Sequence, residues 1–376
     1  MNAADGIPEA LRRIVRPTLI LDRARALRNI DRMAEKARRA GVRLRPHFKT
    51  HQSPEIGSWF RERGVTGITV SSVRMAERFA AAGWKDITIA FPVNVLEMNG
   101  IRRLARRIRL GLLVDAEESF DAVERDLDVP VGIWIKVDVG PRRSGVSWDR
   151  PERIASLAGR VGRSRRHALA GILTHDGRTY AARSPEEILR LHAESLVRMA
   201  RARESASAAA GGAPLPISVG DTPSCALADR FDPAEEIRPG NFVFYDAMQM
   251  ELGSCAPDEI AVAVACPVVG RRIREGELVL YGGAVHFAKE SVVDREGRTV
   301  YGYLGAWEEG GFGAADARAP ILQVSQEHSV AHVGGGRASR AAIGDLVPVI
   351  PSHSCHASAL HRGYLTLEGT RIARIG

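Results

Sequence analysis

Between about residue 24 and residue 245, short apolar runs alternate with segments of helical periodicity, and this alternation constrains the fold more than any other feature of the chain. Candidate strands lie at 41–47, 67–72, 86–91, 109–115, 131–139, 169–175, 216–220 and 241–245. Helix candidates between them include 24–39, 53–63, 94–107, 151–160 and 184–209. Eight strands with helical crossovers make a (β/α)8 TIM barrel more economically than an open doubly wound sheet, because no glycine-rich dinucleotide fingerprint follows the first strand.

After residue 255 the pattern changes. EIAVAVACPVV, GELVLYGG, APILQVSQEH, DLVPVIP and YLTLEG alternate with turn residues, and no long amphipathic period remains. The chain therefore reads as a barrel over 24–250 and an all-β domain formed by 251–376 together with 1–23, whose RPTLILD segment (16–22) is strand-like and suited to pairing with that domain. A hydrophobic fraction of 45% over 376 residues is enough for a substantial core.

The formal charge is +8, yet the arginines are scattered in pairs such as Arg12/Arg13, Arg106/Arg107 and Arg271/Arg272 and form no stripe interleaved with aromatics, which argues against nucleic acid as a partner. The first residues lack the pattern of a secretory signal, and no apolar run approaches the ~18 residues of a membrane span. The expectation is a soluble, cytoplasmic protein. Its four cysteines have no CxxC spacing and read as free thiols or ligands.

Only five lysines (36, 49, 85, 136 and 289) stand among the 53 basic residues, so each is informative. Lys49, in RPHFKTH (45–51), follows the first barrel strand, and the C-terminal strand ends are where barrels place their chemistry. A lysine there can form a Schiff base if desolvation and nearby cations, such as Arg45 or a histidine (His47 among them), keep its amine partly neutral. Arg143 follows strand five and His175 ends strand six. The turns GDTP (220–223) and RPGN (238–241) follow strand seven and sit at strand eight, where barrels commonly hold a phosphate. A Schiff-base lysine and a phosphate site together suggest pyridoxal 5'-phosphate.

A third cluster, PSHSCHASAL (351–360), lies in the β-rich region. In an extended segment His353 and Cys355 point to the same side and can grip one ion; His356 is the competing ligand, disfavoured because it would point to the opposite face from Cys355. Two ligands are too few for a closed structural zinc site, and they leave positions open for Lewis-acid chemistry.

With RPHFKTH, KVDVGPRRSGV (136–146), THDGRTY (174–180), VGDTPS (219–224), IRPGNFVFYDAMQ (237–249), SQEH (325–328) and PSHSC, the chain resembles the fold-type III pyridoxal-phosphate enzymes. These are the alanine racemase-like superfamily, and the likeness is to its D-serine dehydratase and D-threonine aldolase group. The resemblance implies that Lys49 carries the cofactor and is the base at the substrate α-carbon, and that Thr222, Gly240 and Asn241 bind the cofactor phosphate. It implies further that His47, Arg143, His175 and Tyr180 line the pocket, that Arg238 or Tyr245 faces the pyridine nitrogen, and that the enzyme is a homodimer. His353-x-Cys355 is the dehydratase form of the metal pair, for zinc or another divalent ion, whereas aldolases of the group tend to carry His-x-Asp. Gln52, Asp221 and the Pro141-Arg142-Arg143 turn depart from the group's usual pattern.

The implied reaction is dehydration of a D-3-hydroxy amino acid, such as D-serine or D-3-hydroxyaspartate, to a 2-keto acid and ammonia. The alternatives are retro-aldol cleavage to glycine and an aldehyde, and a non-catalytic pyridoxal-phosphate carrier.

Overall fold

A strand that is apolar at nearly every position is stable only where both of its faces are covered, as in a parallel sheet wrapped by helices. Five of the barrel strands have this character. They are β3 (Ile68–Val70), β4 (Asp86–Pro92), β5 (Arg109–Val114), β6 (Gly132–Asp138) and β9 (Ile217–Val219), numbered from β1 (Thr18–Leu21) at the N-terminus. With β2 (Arg43–Leu44), β8 (Ala168–Leu173) and β10 (Glu236–Ile237) they form a parallel sheet of order β2-β10-β9-β8-β6-β5-β4-β3, and short β7 (Val146–Ser147) lies beside β6. A parallel bridge between His47 and Thr69 joins the two ends, so the eight strands close into a barrel.

The computed structural model describes residues 6–335 and 338–375. It divides into two compact units, one of residues 32–49 and 57–240, the other of residues up to 31, 50–56 and 241 onward. The helices of the barrel are α1 (Arg23–Arg39), α2 (Pro54–Arg61), α3 (Val73–Ala81), α4 (Met98–Ala105), α5 (Glu117–Asp126), α6 (Pro151–Gly162), α7 (Pro185–Ala209) and α8 (Thr222–Leu227). Their starts follow from local chemistry. Ser72 accepts from the Met75 N–H, and Ser184 accepts from the Glu187 N–H ahead of Pro185 in the first turn. The longest, α7, is too long to cap an ordinary crossover and packs along α6. It is not apolar enough to cross a membrane, nor is any other helix among the described residues.

The eighth barrel strand is not the expected one. Residues 241–245 begin with a 3-10 turn (Asn241–Val243), and Glu236–Ile237 supplies the strand, pairing with β9 and β2. Asn241 through Tyr245 is apolar enough to look like a strand, but its burial comes from the core of the other unit, and the true strand is only two residues long.

In the second unit nine strands form one mixed sheet. β1 lies between β11 (Val262–Arg272), antiparallel to it, and β21 (Gly363–Thr366), parallel to it. β11 continues to β12 (Glu277–Tyr281), and two ribbons, β13 (Val292–Val293) with β14 (Thr299–Val300) and β16 (Trp307–Glu308) with β17 (Gly311–Phe312), stand apart. The rest of the sheet is β15 (Gly302–Leu304), β18 (Ile321–Val324), β19 (His328–His332), β20 (Leu346–Pro351) and β22 (Arg371–Ala373). The short helices α9 (Ala247–Glu251), α10 (Ala284–Phe287) and α11 (Ser354–Ala359) complete the unit, and α11 starts three residues after β20 ends.

Candidate functional site

Lys49 is placed by its neighbour. Phe48 is fully buried, with its ring 5.1, 5.0 and 5.2 Å from those of Phe60, Phe79 and Trp84. The Phe48 N–H donates to the Thr69 carbonyl at 2.9 Å. An aromatic side chain locked in this way holds the following residue in one direction. Lys49 faces a cavity of about 520 Å³ at the C-terminal mouth of the barrel, shared with His47, Lys136, Arg143, His175 and Arg238.

The cavity is cationic. Four of its lining side chains are lysine or arginine, and no aspartate or glutamate is among them. Its histidines are accordingly neutral. Burial, then Lys49 and Arg143, push His175 down to about 3. Burial, then Lys49 and Arg238, hold His47 well below its ordinary value. His175 donates from Nδ1 to the Gly220 carbonyl at 2.7 Å, and His47 Nδ1 accepts from the Lys49 N–H at 3.3 Å. Arg238 is buried, donates to the Ser218 hydroxyl and the Thr174 carbonyl, and is pushed down to about 10 by burial.

Arg143 enters the cavity from a turn that needs unusual backbone. Arg142 has φ +52° and Gly145 φ +109°, and a Cβ on Gly145 would lie 2.8 Å from the Asp138 nitrogen. The turn brings Val146 back to pair with β6, and the Gly145 N–H donates to Asp115 Oδ2 at 3.0 Å.

Beside this cavity stands a second group. The Thr222 N–H donates to the Tyr180 hydroxyl at 3.4 Å, and the Tyr180 ring is 6.1 Å from that of His175. Thr222 Oγ1 is buried without a hydrogen-bond partner. An orphaned buried hydroxyl is costly unless a ligand satisfies it, so a phosphate here fits the residues present. Asp221 is not on the cavity wall. Its carboxylate accepts from the Thr179 hydroxyl and the Ser224 N–H at 3.0 and 2.7 Å, and burial pushes it up to about 7.

The other unit gathers the distal cluster. Asp246, fully buried, accepts on Oδ2 from Asn241 Nδ2 at 2.6 Å, the Ser354 N–H at 2.9 Å and His353 Nδ1 at 3.1 Å. Cys355 Sγ is 3.1 Å from Thr50 Oγ1. His353 and Cys355 are within hydrogen-bonding reach of each other. Burial alone would lower the His353 imidazole, but the Cys355 thiolate and Asp246 raise it well above its ordinary value. The imidazole thus faces the Cys355 sulfur, and a carboxylate on Nδ1 leaves Nε2 free to face a cation. The residues present therefore fit a divalent ion with two protein ligands. Among the described residues no group of three or more His, Cys, Asp or Glu could hold one.

These residues are not in an extended segment. His353 caps α11 and Cys355 lies in its first turn, so convergence comes from the strand-to-helix turn and not from strand alternation. The His356 ring lies 4.7 Å from that of His353, and its Nδ1 is 3.1 Å from Glu290. Tyr245 is buried with φ +49°, its N–H donating to the Asn241 carbonyl at 2.8 Å. Gln52 also has positive φ, +46°, and its carbonyl accepts from the Ile375 N–H at 2.7 Å. Gly240 is the last residue of the barrel unit, and Asn241 opens the last segment of the other.

The expectation for Arg45 also changes. Arg45 is not beside Lys49. It makes a bidentate bond to Asp86 at 2.8 and 2.9 Å and another to Glu236 at 2.7 Å, low in the barrel. Lys136 was given no role and proves to be a buried amine in the cavity, its Nζ donating to the Val137 carbonyl at 3.0 Å. The signal was present in IWIKVDV, where Lys136 and Asp138 interrupt an apolar buried strand.

Burial, with Arg238 and Arg143 nearby, pushes Lys136 from 10.5 down to about 7. Between those values the unfolded chain holds a proton that the folded chain does not, so stability rises with pH across that window and falls as pH drops towards 7. Lys136→Met is therefore expected to raise the apparent Tm of the cofactor-free protein by about 5 °C at pH 7 and by clearly less near pH 10. A thermal melt series across pH reads both arms.

Residues 21–247 match the family of the alanine racemase N-terminal domain, and residues 261–367 that of the serine dehydratase domain. D-threo-3-hydroxyaspartate dehydratase of Delftia sp. (strain HT23) is 30% identical over 374 residues, covering 93% of each chain. Its solved structure superposes with a TM-score of 0.88 at 28% identity, over 97% of this chain and 98% of that one. A solved cysteine-to-alanine mutant of that enzyme is in the metal-free form. D-serine dehydratase of Dictyostelium discoideum is 27% identical over 359 residues, 89% of each chain. D-threonine aldolase from Filomicrobium marinum shares the fold, with a TM-score of 0.82 at 22% identity over 98% of this chain and 95% of that one.

Proposed function

From a chain that belongs to the alanine racemase-like family of fold-type III, with a serine dehydratase domain following the barrel, we propose a lyase that uses pyridoxal 5'-phosphate and a divalent metal, preferably zinc. It dehydrates a D-3-hydroxy amino acid to a 2-keto acid and ammonia. The observation that carries this reading is that one chain holds both a Lys49 cavity in its barrel unit and, in its other unit, a His353/Cys355 pair whose imidazole is oriented by Asp246.

Bound pyridoxal phosphate supplies an electron sink at the α-carbon, and a bound divalent ion supplies Lewis acidity at the β-hydroxyl. The chain's own residues do the rest. Lys49 Nζ holds the cofactor and takes the α-proton. Thr222, Gly240 and Asn241 bind the phosphate, with the unpartnered Thr222 hydroxyl supporting that role. Arg238, already in the cavity, faces the ring nitrogen in preference to Tyr245. His47, His175 and Tyr180 orient the ring, and the two histidines do so as neutral groups. His353 and Cys355 hold the ion.

A cavity wall that carries Arg143 and Arg238 beside two lysines, with no acid among its lining residues, suits a substrate that carries an extra carboxylate. D-3-Hydroxyaspartate fits better than D-serine, which accords with the activity named for the Delftia relative. Purified holoenzyme offered D-3-hydroxyaspartate, D-serine and D-threonine is expected to give keto acid, with kcat/KM for the first about tenfold or more above that for the second. Glycine and aldehyde as the products would instead establish the retro-aldol reading. A cofactor spectrum that no D-amino acid alters would establish a non-catalytic carrier. We assign it as a cytoplasmic homodimer, for which size-exclusion chromatography with light scattering is the direct test of assembly.

A further inference from the structure

A barrel interior is ordinarily filled by layers of bulky side chains, and its N-terminal face serves stability. Here the lower layer is built from small residues. Gly111, Gly132, Ala168 and Ala170 line a cavity of about 470 Å³ at the N-terminal mouth, with Trp134 also on its wall. Trp134 packs with Leu113 and Leu173. Those two leucines line the Lys49 cavity, so this single apolar layer separates the two chambers.

The charge on the lower wall is not balanced. Arg43, Arg45, Arg109 and Arg166 all line it. Two carboxylates answer them: Asp86 binds Arg45, while Glu236 accepts from both Arg45 and Arg43 at 2.7 and 2.8 Å. Arg166 donates to the Glu124 and Leu127 carbonyls at 2.8 and 2.6 Å, which places the guanidinium without neutralising it. Arg109 has no side-chain hydrogen bond or ion pair among the described residues. Two guanidinium charges are thus left over at the mouth of a chamber large enough for a small metabolite.

We propose that this lower chamber is a binding site, separate from the Lys49 cavity, for a small dianion, either a dicarboxylate or a phosphate, held by Arg109 and Arg166 over the Trp134 indole. Planar guanidinium groups bind either oxyanion bidentately. An occupant stays below the Trp134 layer and does not reach Lys49.

The test uses holoenzyme, whose upper cavity is filled, titrated with inorganic phosphate or with succinate at constant ionic strength made up with chloride. Binding is followed by calorimetry and tryptophan fluorescence. Saturable binding of at least one anion is expected, weakened about tenfold by Arg109→Ala, a residue with no partner to lose. Preference for phosphate or for succinate identifies which source the site serves. Ala170→Leu, which intrudes on the chamber and keeps every charge, is expected to weaken binding, and Trp134→Phe to remove the fluorescence change while calorimetric binding persists. No saturable binding by either anion, or binding that both Arg109→Ala and Ala170→Leu leave unchanged, overturns the proposal.

Discussion

Lys49→Ala is expected to lower turnover by about 10⁴-fold or more, the upper range for losing a positioned base, and to abolish the absorption of a lysine-linked cofactor. The fold should not suffer, because the Lys49 side chain is exposed into its cavity and its segment is anchored by Phe48 and not by the ammonium. Unchanged circular dichroism and melting temperature would verify this. Lys49→Arg is expected to be as inactive as the alanine variant, since a guanidinium does not give up its proton near neutral pH.

The experiment also decides between two amines. Lys136 lines the same cavity and, pushed down to about 7, is chemically the better nucleophile. Its Nζ is tied to the Val137 carbonyl, whereas Lys49 rises from a loop held on the rim of strand β2. If Lys49→Ala keeps the cofactor linkage and Lys136→Met loses it, the assignment of Lys49 fails and passes to Lys136. The expected pattern is the reverse, with Lys136→Met retaining the linkage and losing activity only in part.

This contrast shows what a linear reading can reach. The place of Lys49 at the barrel mouth was legible because scarcity of lysine, flanking histidines and a strand-end position coincide within seven residues. Lys136 lines the same cavity, but its significance lies in burial beside Arg143 and Arg238, which are distant in sequence. The barrel itself was legible from the period of its apolar runs, because strands buried on both faces must be apolar throughout. The eighth strand was not, since two residues, Glu236 and Ile237, give no period to read, and the apolar 241–245 run offered a better-looking candidate. Arg45 was misplaced for a related reason. Only three residues separate it from Lys49 in the chain, but an extended segment climbs about 3.3 Å per residue, enough to carry the two side chains towards opposite mouths of the barrel. In the distal cluster, His353 and Cys355 were visible as a spaced pair, while Asp246, more than a hundred residues earlier, had no local signature.

Asp246 gives the last prediction its internal control. His353→Ala and Cys355→Ala are each expected to reduce keto acid formation by about 10³-fold, the loss of Lewis-acid help to a poor leaving group. Both should leave the lysine-linked cofactor absorption intact. Prolonged treatment with chelator should produce the same phenotype in the unaltered chain, and added zinc or manganese should restore it there but not in either variant. Asp246→Asn keeps the size of the side chain and its bonds from Ser354 while removing the charge that orients the imidazole. A 10- to 100-fold loss of metal affinity, about what removing such a supporting carboxylate costs, is expected, with activity recovering at high metal. A merely structural role for Asp246 would give a loss that no metal concentration repairs. Full turnover in protein whose bound metal has been reduced below about a tenth of an equivalent would rule out metal assistance and leave His353 to act, if at all, as a proton donor.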